Sequence, residues 1–524
     1  MRPLSLWMLP ALLAGCGTAP IHTVADTTPA EPLLLNATAP LPARGRVAVP
    51  DAETRQNFLI IVADDLGVDK VGAYAADVDP DYAATALNLP LTPVLDDLAA
   101  SGVRFRDAWA NPSCSPTRAS LLTGQVPARH GVGDPVGVGG TPPLSPDAQT
   151  YAQLAQLHDY STGLFGKWHL GDGIPEDWSA EETWDDHVDE VLSVGFPPTL
   201  LGFSAFAGTV ADLDLLDREG YYDWLRVTAS RVEDPVTRPT GESVYATLQT
   251  TQDALDWIAR QKRGWVATVS YHAPHTPFEA PPETCGYGAL SAGERAPDPK
   301  LHRAMVECMD VEIGVLLDGI DELAHTTLVF LGDNGTEPRV AEGVFDDGRG
   351  KGTVYETGVR VPLIVADGAD FLAWMGRADP HDAGHVVHPG RTSDALVHVQ
   401  DLYATLADWI GAEPPGAHDS VSLQTLLADE PGPRRQVVTS ERFTDTEGVM
   451  ALRQGDAKLI VWGLRTDPGQ PGCINDVSVH DLGTDRLEEV DLSGVDTALR
   501  DELLDALQQA LADQPDPWLG TWGC

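Results

Sequence analysis

The feature that most constrains the fold is a repeated pairing of an apolar run with a polar cluster directly after it. Asn57–Ala63 is a continuous apolar stretch that ends in Asp64 and Asp65. Such a run is typical of a strand that is buried on both faces. The same pairing recurs where Ser161–Phe165 precedes Gly166–Gly171, Trp265–Tyr271 precedes His272–His275, and Thr326–Leu331 precedes Gly332–Gly335, and a further run, Val361–Val365, follows Lys351 and Arg360.

Helical patterns separate these apolar runs, at Thr92–Gly102, Ser243–Arg260 and Arg303–Glu322. The alternation predicts an α/β fold with a large, mixed but mainly parallel central sheet and helices on both faces. Ligands of open α/β sheets bind outside the carboxyl ends of the strands. We therefore expect the polar clusters to meet in one crevice, with residues 171–243 and 278–300 as loops around it.

The composition divides the chain into four parts. Residues 1–16 are predicted to be an export signal, 17–54 a Pro-, Ala- and Thr-rich tether, 55–435 a large catalytic domain, and 436–524 a smaller α+β subdomain. The subdomain is predicted to contain a short antiparallel sheet and an amphipathic helix. Its elements are a hairpin of Val449–Arg453 and Lys458–Trp462, a strand at Ser478–Leu482, and a helix at Thr497–Asp513.

The first residues carry one positive charge and then a short apolar run, which is the pattern of a signal peptide. The run ends in Leu13-Ala14-Gly15-Cys16, which resembles the bacterial lipoprotein cleavage box. That resemblance implies lipidation of Cys16 and a chain held at the cell envelope, in the periplasm or at the cell surface, by its lipid alone. An ordinary secretory signal that contains a cysteine is the alternative.

The net charge limits the possible partners of the chain, and its cysteines bear on disulfide formation and metal binding. The 34 basic and 79 acidic residues give a net charge of −45, which argues against a nucleic acid partner because phosphate binding needs a basic surface. An exported chain can form disulfides, and the pairs nearest in sequence are Cys285 with Cys308 and Cys473 with Cys524. Other pairings of these four cysteines stay open. The spacing of cysteines and histidines does not match that of a zinc site.

The stretch Cys114–Gly124 joins a candidate nucleophile to the start of a helix. Pro116 suits the first turn of a helix and Gly124 the position after its end, which leaves Cys114 at the positive N-terminus. Backbone N–H groups there favour an anion, and Arg118 adds a cation one turn further on. The alternative is a buried structural cysteine at a junction between loop and helix.

Oxygen ligands and cations follow the other strands. Asp64 and Asp65 at one strand end, with Asp333 and Asn334 at another, supply hard ligands suited to Ca²⁺ or Mg²⁺, although each pair alone would also suit a turn. The cationic candidates are Lys167, His169, His275 and Lys351. Lys167 and His169 would bind an anionic substrate, and His275 would donate a proton. The alternatives are a core histidine for His169, a residue of a rigid loop for His275, and a solvated loop charge for Lys351.

With these motifs in place, the chain resembles the sulfatase family. Cys114–Gly124 fits that family's signature, Cys-x-Pro-Ser/Thr-Arg followed by Leu-x-Thr-Gly, at every defining position. Further motifs of the family occur in its order, and the resemblance covers roughly 57–408. They are Asp64-Asp65, Gly-Lys-Trp-His-Leu-Gly at 166–171, Ala-Pro-His-x-Pro at 273–277, Gly-Asp-Asn-Gly at 332–335, and Lys351.

The resemblance implies that a maturation enzyme oxidises Cys114 to formylglycine (3-oxoalanine), whose hydrate attacks the sulfur of a sulfate monoester. It also assigns roles by position. Asp64, Asp65, Asp333, Asn334 and residue 114 would ligate a cation, Ca²⁺ rather than Mg²⁺. Arg118 would stabilise the hydrate, Lys167, His169, His275 and Lys351 would hold the sulfate, and His275 or Lys351 would be the proton donor.

The resemblance leaves the substrate open between aryl sulfates and sulfated carbohydrates, and the loops at 171–243 and 278–300 would shape the pocket for the leaving group. Related phosphonate and phosphate ester hydrolases usually carry histidine at the position of Asn334, so Asn334 favours sulfate. An inert surface-binding lipoprotein is the third hypothesis. It would be expected to lack at least one of Cys114, Arg118, Lys167, His275 and Lys351, and the sequence holds them all.

Overall fold

The computed structural model describes residues 55–522, apart from 79–85, 139, 172–197, 214–219, 231–233, 287–295, 344–347, 378–384, 387, 415, 417, 465–471 and 513–518. The predicted signal peptide with Cys16, the tether and Cys524 lie outside the described residues. The described chain belongs to one compact unit that spans residues 44–524. None of its helices is long and apolar enough to cross a membrane.

The strands form three sheets. In chain order they are β1 (Asn57–Ala63), β2 (Val103–Phe105), β3 (Ala108–Trp109), β4 (Ser161–Lys167), β5 (Ala205–Thr209), β6 (Trp224–Ser230), β7 (Asp234–Glu242), β8 (Trp265–Ser270), β9 (Thr326–Gly332), β10 (Leu363–Asp367), β11 (Arg391–Ser393), β12 (Val397–His398), β13 (Val437–Phe443), β14 (Glu447–Gln454), β15 (Ala457–Leu464), β16 (Gly472–Asp481) and β17 (Leu519–Trp522). The large sheet has ten strands in the order β11-β2-β10-β9-β1-β8-β4-β5-β6-β7.

Helices cover both faces of this sheet, and the last helix of the chain packs on the C-terminal sheet instead. They are α1 (Gly72–Val78), α2 (Pro93–Ser101), α3 (Cys114–Thr123), α4 (Pro127–His130), α5 (Tyr151–Leu157), α6 (Ala246–Ile258), α7 (Asp298–Gly319), α8 (Glu356–Val359), α9 (Gly368–Trp374), α10 (Asp401–Ile410), α11 (Gln424–Leu427) and α12 (Thr497–Ala512). Side chains of β1 alternate between two cores because successive residues of a strand point to opposite faces. Leu59 and Ile61 join the core under α2, α6 and α7. Ile60 and Val62 join the core under α3, α5 and α10.

The middle of the sheet is parallel. Strand β1 pairs in parallel with β9 on one side and β8 on the other, β8 pairs with β4, and β4 pairs with β5. The carboxyl ends of these neighbouring strands therefore lie along one sheet edge. The predicted fold class is confirmed, and so is the shared edge on which the site prediction depended.

The apolar run at 361–365 forms β10 at Leu363–Asp367, which begins later than predicted and pairs antiparallel with both of its neighbours, as a mixed sheet allows. One feature of the large sheet differs from the sequence prediction. The segment 171–243, predicted as loops, contains β5, β6 and β7. The last two extend the sheet as an antiparallel pair. Glycine, proline and polar residues interrupt this segment, so it lacks the continuous apolar run that marks the central strands.

The C-terminal part forms the predicted α+β subdomain. Strands β13 to β16 form an antiparallel sheet, and a fifth strand, β17, joins β16 in parallel. The predicted hairpin is β14 and β15, and the predicted helix is α12. One face of the sheet packs on Leu503, Leu507 and Leu511 of α12. The other face joins Trp109 and Val359 of the large domain.

A buried lysine also connects the two parts. Lys458 of β15 is fully buried, and its Nζ lies 3.2 Å from Glu356, 2.8 Å from Glu488 and 4.6 Å from the centre of the Trp109 ring. Burial opposes ionisation of Glu356, but Lys458 and Arg453 outweigh it and lower the pKa of that carboxyl to about 2. Because Glu356 begins α8, the subdomain fixes the chain that follows Lys351.

Cys285 and Cys308 form a disulfide between the short helix Glu283–Cys285 and α7. This is one of the two pairings nearest in sequence. Cys473 is also disulfide-bonded. Its pairing with Cys524 stays a prediction. Among the described residues, the free cysteine is Cys114.

A buried histidine predicts how stability depends on pH. His398 is 1% exposed, and its Nδ1 accepts the Gln400 N–H at 3.2 Å, so the ring must be neutral. Burial, with the nearby Arg435 charge, holds its pKa well below 6.5. As pH falls below 6.5 the unfolded chain gains a proton first, so this contribution is complete above that pH and declines below it. We expect a loss of about 1.4 kcal/mol at pH 5.5.

The test compares His398→Asn with the unsubstituted protein by urea unfolding at pH 7.5 and 5.5. Asparagine supplies a neutral acceptor for the Gln400 N–H, so the variant should lose about 1.4 kcal/mol less on acidification. All other groups contribute equally to both proteins. An equal loss in both would show that His398 can take up its proton within the fold.

Candidate active site

Four of the parallel strands at the centre of the sheet carry polar residues that sequence analysis selected. Asp64 and Asp65 follow β1, Asp333 and Asn334 follow β9, His275 follows β8, and Lys167 and His169 lie at and after the end of β4. Cys114 and Arg118 come from α3, and Lys351 comes from the loop before α8. The contacts below bring all ten predicted site residues into one cluster.

Residue 114 begins α3, as predicted. Cys114 is 1% exposed, and Gly124 ends the helix with a φ of 68°, a conformation that favours glycine. The Cys114 Sγ lies 3.2 Å from His169 Nδ1. Ser115 donates from its hydroxyl to the His169 carbonyl at 2.7 Å. The start of the helix is therefore tied to the end of β4, and a group at residue 114 faces both the helix N-terminus and His169.

The carboxylates of the first and ninth strands form the acidic side of the site. The backbone N–H of Asp65 donates to Asp333 Oδ1 at 3.0 Å, and Asn334 Nδ2 donates to Asp65 Oδ1 at 2.9 Å. Asp65 has a φ of 62°, so the chain turns sharply after β1. That turn places its side chain beside those of Asp64 and Asp333 at the sheet edge.

Arg118 spans this acidic side. It donates from Nε and Nη2 to Asp333 Oδ2 at 3.1 and 2.8 Å, and from Nη1 to the Lys167 carbonyl at 3.1 Å. Its Nη1 also contacts the Ser270 hydroxyl. The side chain is 5% exposed. Burial disfavours its charge, but Asp333 and Asp64 outweigh burial and raise the guanidinium pKa above its usual value. Arg118 is thus a fixed cation at the site.

The donor set fits a divalent cation. Asp64 Oδ1 and Asn334 Oδ1 are buried and accept no hydrogen bond within the described structure. Buried acceptors of this kind are normally satisfied, so two at one site point to a positive ligand. Hard oxygens from Asp64, Asp65, Asp333 and Asn334 are the ligands that Ca²⁺ prefers.

A different triad also has metal-binding spacing. Asp64, Asp65 and His275 offer ligand atoms that lie within 4.8 Å of one another. In this arrangement Asp333 Oδ2 is occupied by Arg118, while His275 approaches Asp65 Oδ2 at 3.8 Å. Both sets include Asp64 and Asp65. The assignment of Cys114, Asp333 and Asn334 as further ligands stays a prediction.

Charges determine the protonation of the carboxylates. Burial raises the pKa of Asp64, but Lys167, His275 and Arg118 together outweigh it and hold the pKa well below its usual range. For Asp333, burial and the adjacent Asp64 carboxylate raise the pKa well above its usual value, against the effect of Arg118. Two buried carboxylates that compete for one set of cations are a further reason for a divalent cation at this position.

Lys167 is fixed between two acids. Its Nζ lies 2.5 Å from Asp64 Oδ2 and 2.5 Å from Asp212 Oδ1. The side chain is fully buried. Burial lowers its pKa, but Asp212 and Asp64 raise it by more, so the pKa is well above 10.5. Lys167 is therefore charged at neutral pH.

The two histidines point their ring nitrogens into the same space. His169 has a φ of 55°, and burial lowers its pKa to about 4, so it is neutral at pH 7. His275 Nδ1 lies 2.7 Å from the Thr276 carbonyl, which can only accept, so Nδ1 carries a hydrogen. His275 Nε2 is then the nitrogen that faces Asp65 and Asp212. That nitrogen is available to move a proton.

Lys351 contacts the cluster through Asp65. Its Nζ lies 2.8 Å from both carboxylate oxygens of Asp65. Burial opposes its charge, but Asp65 outweighs burial and raises the pKa above the usual value. Its backbone N–H donates to the Thr336 carbonyl at 2.9 Å, which fixes the loop to the chain after β9. Lys351, whose side chain is 18% exposed, adds a second ammonium group to the site.

Sequence analysis missed Asp212. This residue comes three positions after β5, and its Oδ1 also lies 3.8 Å from His169 Nδ1 and 3.9 Å from His275 Nε2. Burial opposes its ionisation, but Lys167 and His169 outweigh burial and hold its pKa well below 3.8. The rule that selected the other residues, a polar group after a parallel strand, would have found Asp212 if β5 had been predicted.

The chain is similar to known sulfatases in sequence and in fold. The family model described as Sulfatase matches residues 56–412. The chain is 29% identical to "Arylsulfatase A" of Homo sapiens over 497 residues, covering 86% of each chain. A structure solved with k-i-k-neocarrahexaose aligns with a TM-score of 0.64 at 23% identity, covering 89% of this chain and 95% of that one. One solved with its substrate D-glucosamine-2-N,6-O-disulfate aligns with a TM-score of 0.62 at 19% identity, covering 88% and 99%.

The chain belongs to the sulfatase family, because the family model covers more than half of its length. The prediction made from the motifs is confirmed. The activity of the class is hydrolysis of sulfuric esters, so the clustered cations and carboxylates form the candidate active site of an arylsulfatase-like hydrolase. The solved structures support the fold.

Proposed function

We propose that this protein is a Ca²⁺-dependent sulfatase that uses formylglycine at position 114 to hydrolyse an aryl or carbohydrate sulfate. The observation that carries the proposal is the position of Cys114. It is buried at the N-terminus of α3, 3.2 Å from His169 Nδ1, and lies on the same sheet edge as oxygen ligands and fixed cations. A cysteine with only a structural role would not require this surrounding.

Residue 114 is the proposed nucleophile after a maturation enzyme has oxidised it. The signature from Cys114 to Gly124, which such an enzyme would recognise, is complete. The hydrated aldehyde supplies an oxygen nucleophile at neutral pH. His169 is neutral at pH 7, so its Nδ1 can accept or donate a hydrogen bond at residue 114 and orient that oxygen. The N-terminus of α3 favours negative charge at the same atom.

Asp64, Asp65, Asp333 and Asn334 would hold the cation, which supplies positive charge that polarises the sulfate and favours a deprotonated nucleophile. Arg118 fixes Asp333 through two hydrogen bonds and thereby aims that carboxylate. Asp64 and Asn334 each present a buried oxygen that has no hydrogen-bond donor. The fold thus arranges the oxygens in advance.

The side chains of Lys167, Lys351 and His275 are proposed to hold the sulfate ester. Lys167 and Lys351 keep their charge at neutral pH because neighbouring carboxylates raise their pKa values. They would bind sulfate oxygens as charge builds up in the transition state. His275 presents Nε2 to the same space, with Nδ1–H fixed by the Thr276 carbonyl. His275 Nε2 or Lys351 Nζ is the proposed donor of the proton to the leaving oxygen.

We also propose that the protein is exported and attached to the cell envelope by lipid at Cys16. The motif Leu13-Ala14-Gly15-Cys16 supports this, and so does the Cys285–Cys308 disulfide. Disulfides persist in oxidising compartments and are rare in the cytosol. Radiolabelled palmitate incorporation into the full chain, lost in Cys16→Ala, would test the anchor.

The central test uses full-length protein co-produced with a formylglycine-generating enzyme. Mass spectrometry of the peptide that contains Cys114 should show conversion to formylglycine or its hydrate. The matured protein should release 4-nitrophenol from 4-nitrophenyl sulfate at least about 100-fold faster than from 4-nitrophenyl phosphate. Protein produced without maturation is the matched control and should be inactive. A modified residue 114 with preferred release from the phosphate ester would refute the assignment to sulfate.

A further inference from the structure

Asp212 places a negative charge within the part of the site that is proposed to bind an anion. Its Oδ1 lies 2.5 Å from Lys167 Nζ, 3.8 Å from His169 Nδ1 and 3.9 Å from His275 Nε2. We call these three groups, Lys167, His169 and His275, the anion pocket. One carboxylate oxygen thus faces every member of the pocket. The Asp212 side chain is 29% exposed, so its other side is open to solvent.

Asp212 differs from the other carboxylates of the site in its surroundings. The Asp65 N–H donates to the Asp333 carboxylate, and Asp64 lies beside them. These three acids form the side of the site that is proposed to hold the metal cation, here called the cation side. Asp212 follows β5, which two strands, β8 and β4, separate from β1 in the sheet order. Asp64 and Asp65 also approach this pocket, at Lys167 and His275, but among the described residues Asp212 is the acid that approaches all three of its members. The fold has therefore put an acid where an anionic substrate would favour further cations.

We propose that Asp212 is a specificity-determining residue whose carboxylate makes the anion pocket select singly charged sulfate esters over doubly charged phosphate monoesters. This inference rests on the proposed function. A sulfate monoester carries one negative charge, whereas a phosphate monoester gains a second one at neutral pH because its second pKa is about 6. Repulsion by a fixed carboxylate scales with the charge of the ligand, so the dianion is repelled twice as strongly.

The geometry keeps this repulsion effective. Lys167 is fully buried, and a carboxylate held 2.5 Å from its Nζ cannot be screened as an exposed surface charge is. The ammonium group remains available to an ester oxygen because it has three donors. Asp212 therefore reduces the net charge of the pocket, while one of the three Lys167 N–H donors is left for the ester.

The experiment compares Asp212→Asn and Asp212→Glu with the unsubstituted protein, all full-length, matured and loaded with Ca²⁺. We expect Asp212→Asn to raise kcat/KM for 4-nitrophenyl phosphate relative to 4-nitrophenyl sulfate by about 10- to 100-fold. Asp212→Glu retains the charge and should stay close to the unsubstituted ratio. An equal loss on both esters, or an unchanged ratio in Asp212→Asn, would overturn the proposal, since either result is what a residue that only positions Lys167 would give.

A binding measurement separates this inference from the proposed function. In a Cys114→Ala background, calorimetric titration with each aryl ester reports affinity without turnover. Adding Asp212→Asn should tighten binding of the phosphate ester about 10- to 100-fold more than binding of the sulfate ester. If the matured protein releases no sulfate, the proposed function fails, and this titration still decides the role of Asp212. Equal tightening for both esters would contradict it.

Discussion

Replacing Cys114 with alanine should abolish turnover of sulfate esters and leave the fold intact. We expect kcat to fall roughly 10⁴- to 10⁶-fold, because the proposed reaction has no other nucleophile of comparable placement among the described residues. The loss of one buried Sγ should change the free energy of unfolding by only about 1 kcal/mol. Its contact with His169 Nδ1 at 3.2 Å is the interaction removed. Steady-state assays and urea unfolding measure the two quantities.

A control in another helix separates chemistry from packing. Ser101 ends α2, lies outside the Cys114–Gly124 signature, is 3% exposed, and donates to the Asp97 and Leu98 carbonyls within its own helix. Ser101→Ala should cost a similar free energy of unfolding while retaining sulfate release. If Cys114→Ala kept substantial activity, or if Ser101→Ala lost as much, residue 114 would be a structural residue and the nucleophile would have to lie elsewhere.

The sequence carried enough information to predict the centre of the molecule. Strands β1, β8 and β9 are continuous apolar runs because helices bury both of their faces, and such runs are recognisable without a structure. Their carboxyl ends share one edge, so Asp64, Asp333 and His275 could be grouped before any distance was known. The family signature then supplied what patterns could not, namely the chemistry of residue 114.

The strands beyond β4 in the large sheet could not be predicted in the same way. Strand β5 has the sequence Ala-Phe-Ala-Gly-Thr, in which Gly208 lies so close to Gly166 that a Cβ there would be 1.8 Å from its carbonyl oxygen. That close approach requires glycine, and glycine weakens the signal for a strand. Missing β5 meant missing Asp212. The error therefore arose where backbone packing, rather than an apolar pattern, specifies the element.

The sequence also did not show which charged side chains lie in which part of the site. Side-chain types indicated a metal site and an anion site, but not which carboxylate would lie in which. In the structure Lys167 bridges the two, with Asp64 on the cation side and Asp212 in the anion pocket. A lysine held between two acids keeps its charge, while His169, buried beside it, is neutral at pH 7. These opposite outcomes depend on distances of a few ångströms, which no spacing along the chain encodes.

Removing the proposed divalent cation should have the second largest effect on this protein. We expect a chelator to abolish sulfate release from the matured enzyme, and added Ca²⁺ to restore it. Asp64→Asn should weaken Ca²⁺ binding by at least about 100-fold, because it removes the charge from a buried oxygen that has no hydrogen-bond donor. Loss of this carboxylate also leaves the buried Lys167 with one acid instead of two. Calorimetric titration with Ca²⁺ reports the affinity independently of turnover.

A thermal unfolding series completes the test and supplies its control. Saturation with Ca²⁺ at 100 times its Kd should stabilise the unsubstituted protein by about 2.7 kcal/mol, and Asp64→Asn should lose most of that gain. Asp505→Asn removes an equal charge from the exposed face of α12 and should bind Ca²⁺ normally. Asp64→Asn protein that bound Ca²⁺ as tightly as Asp505→Asn would exclude the cluster as the cation site. Asp65 and Asp333 would then serve only to hold Lys351 and Arg118, and the positive charge for catalysis would have to come from those side chains alone.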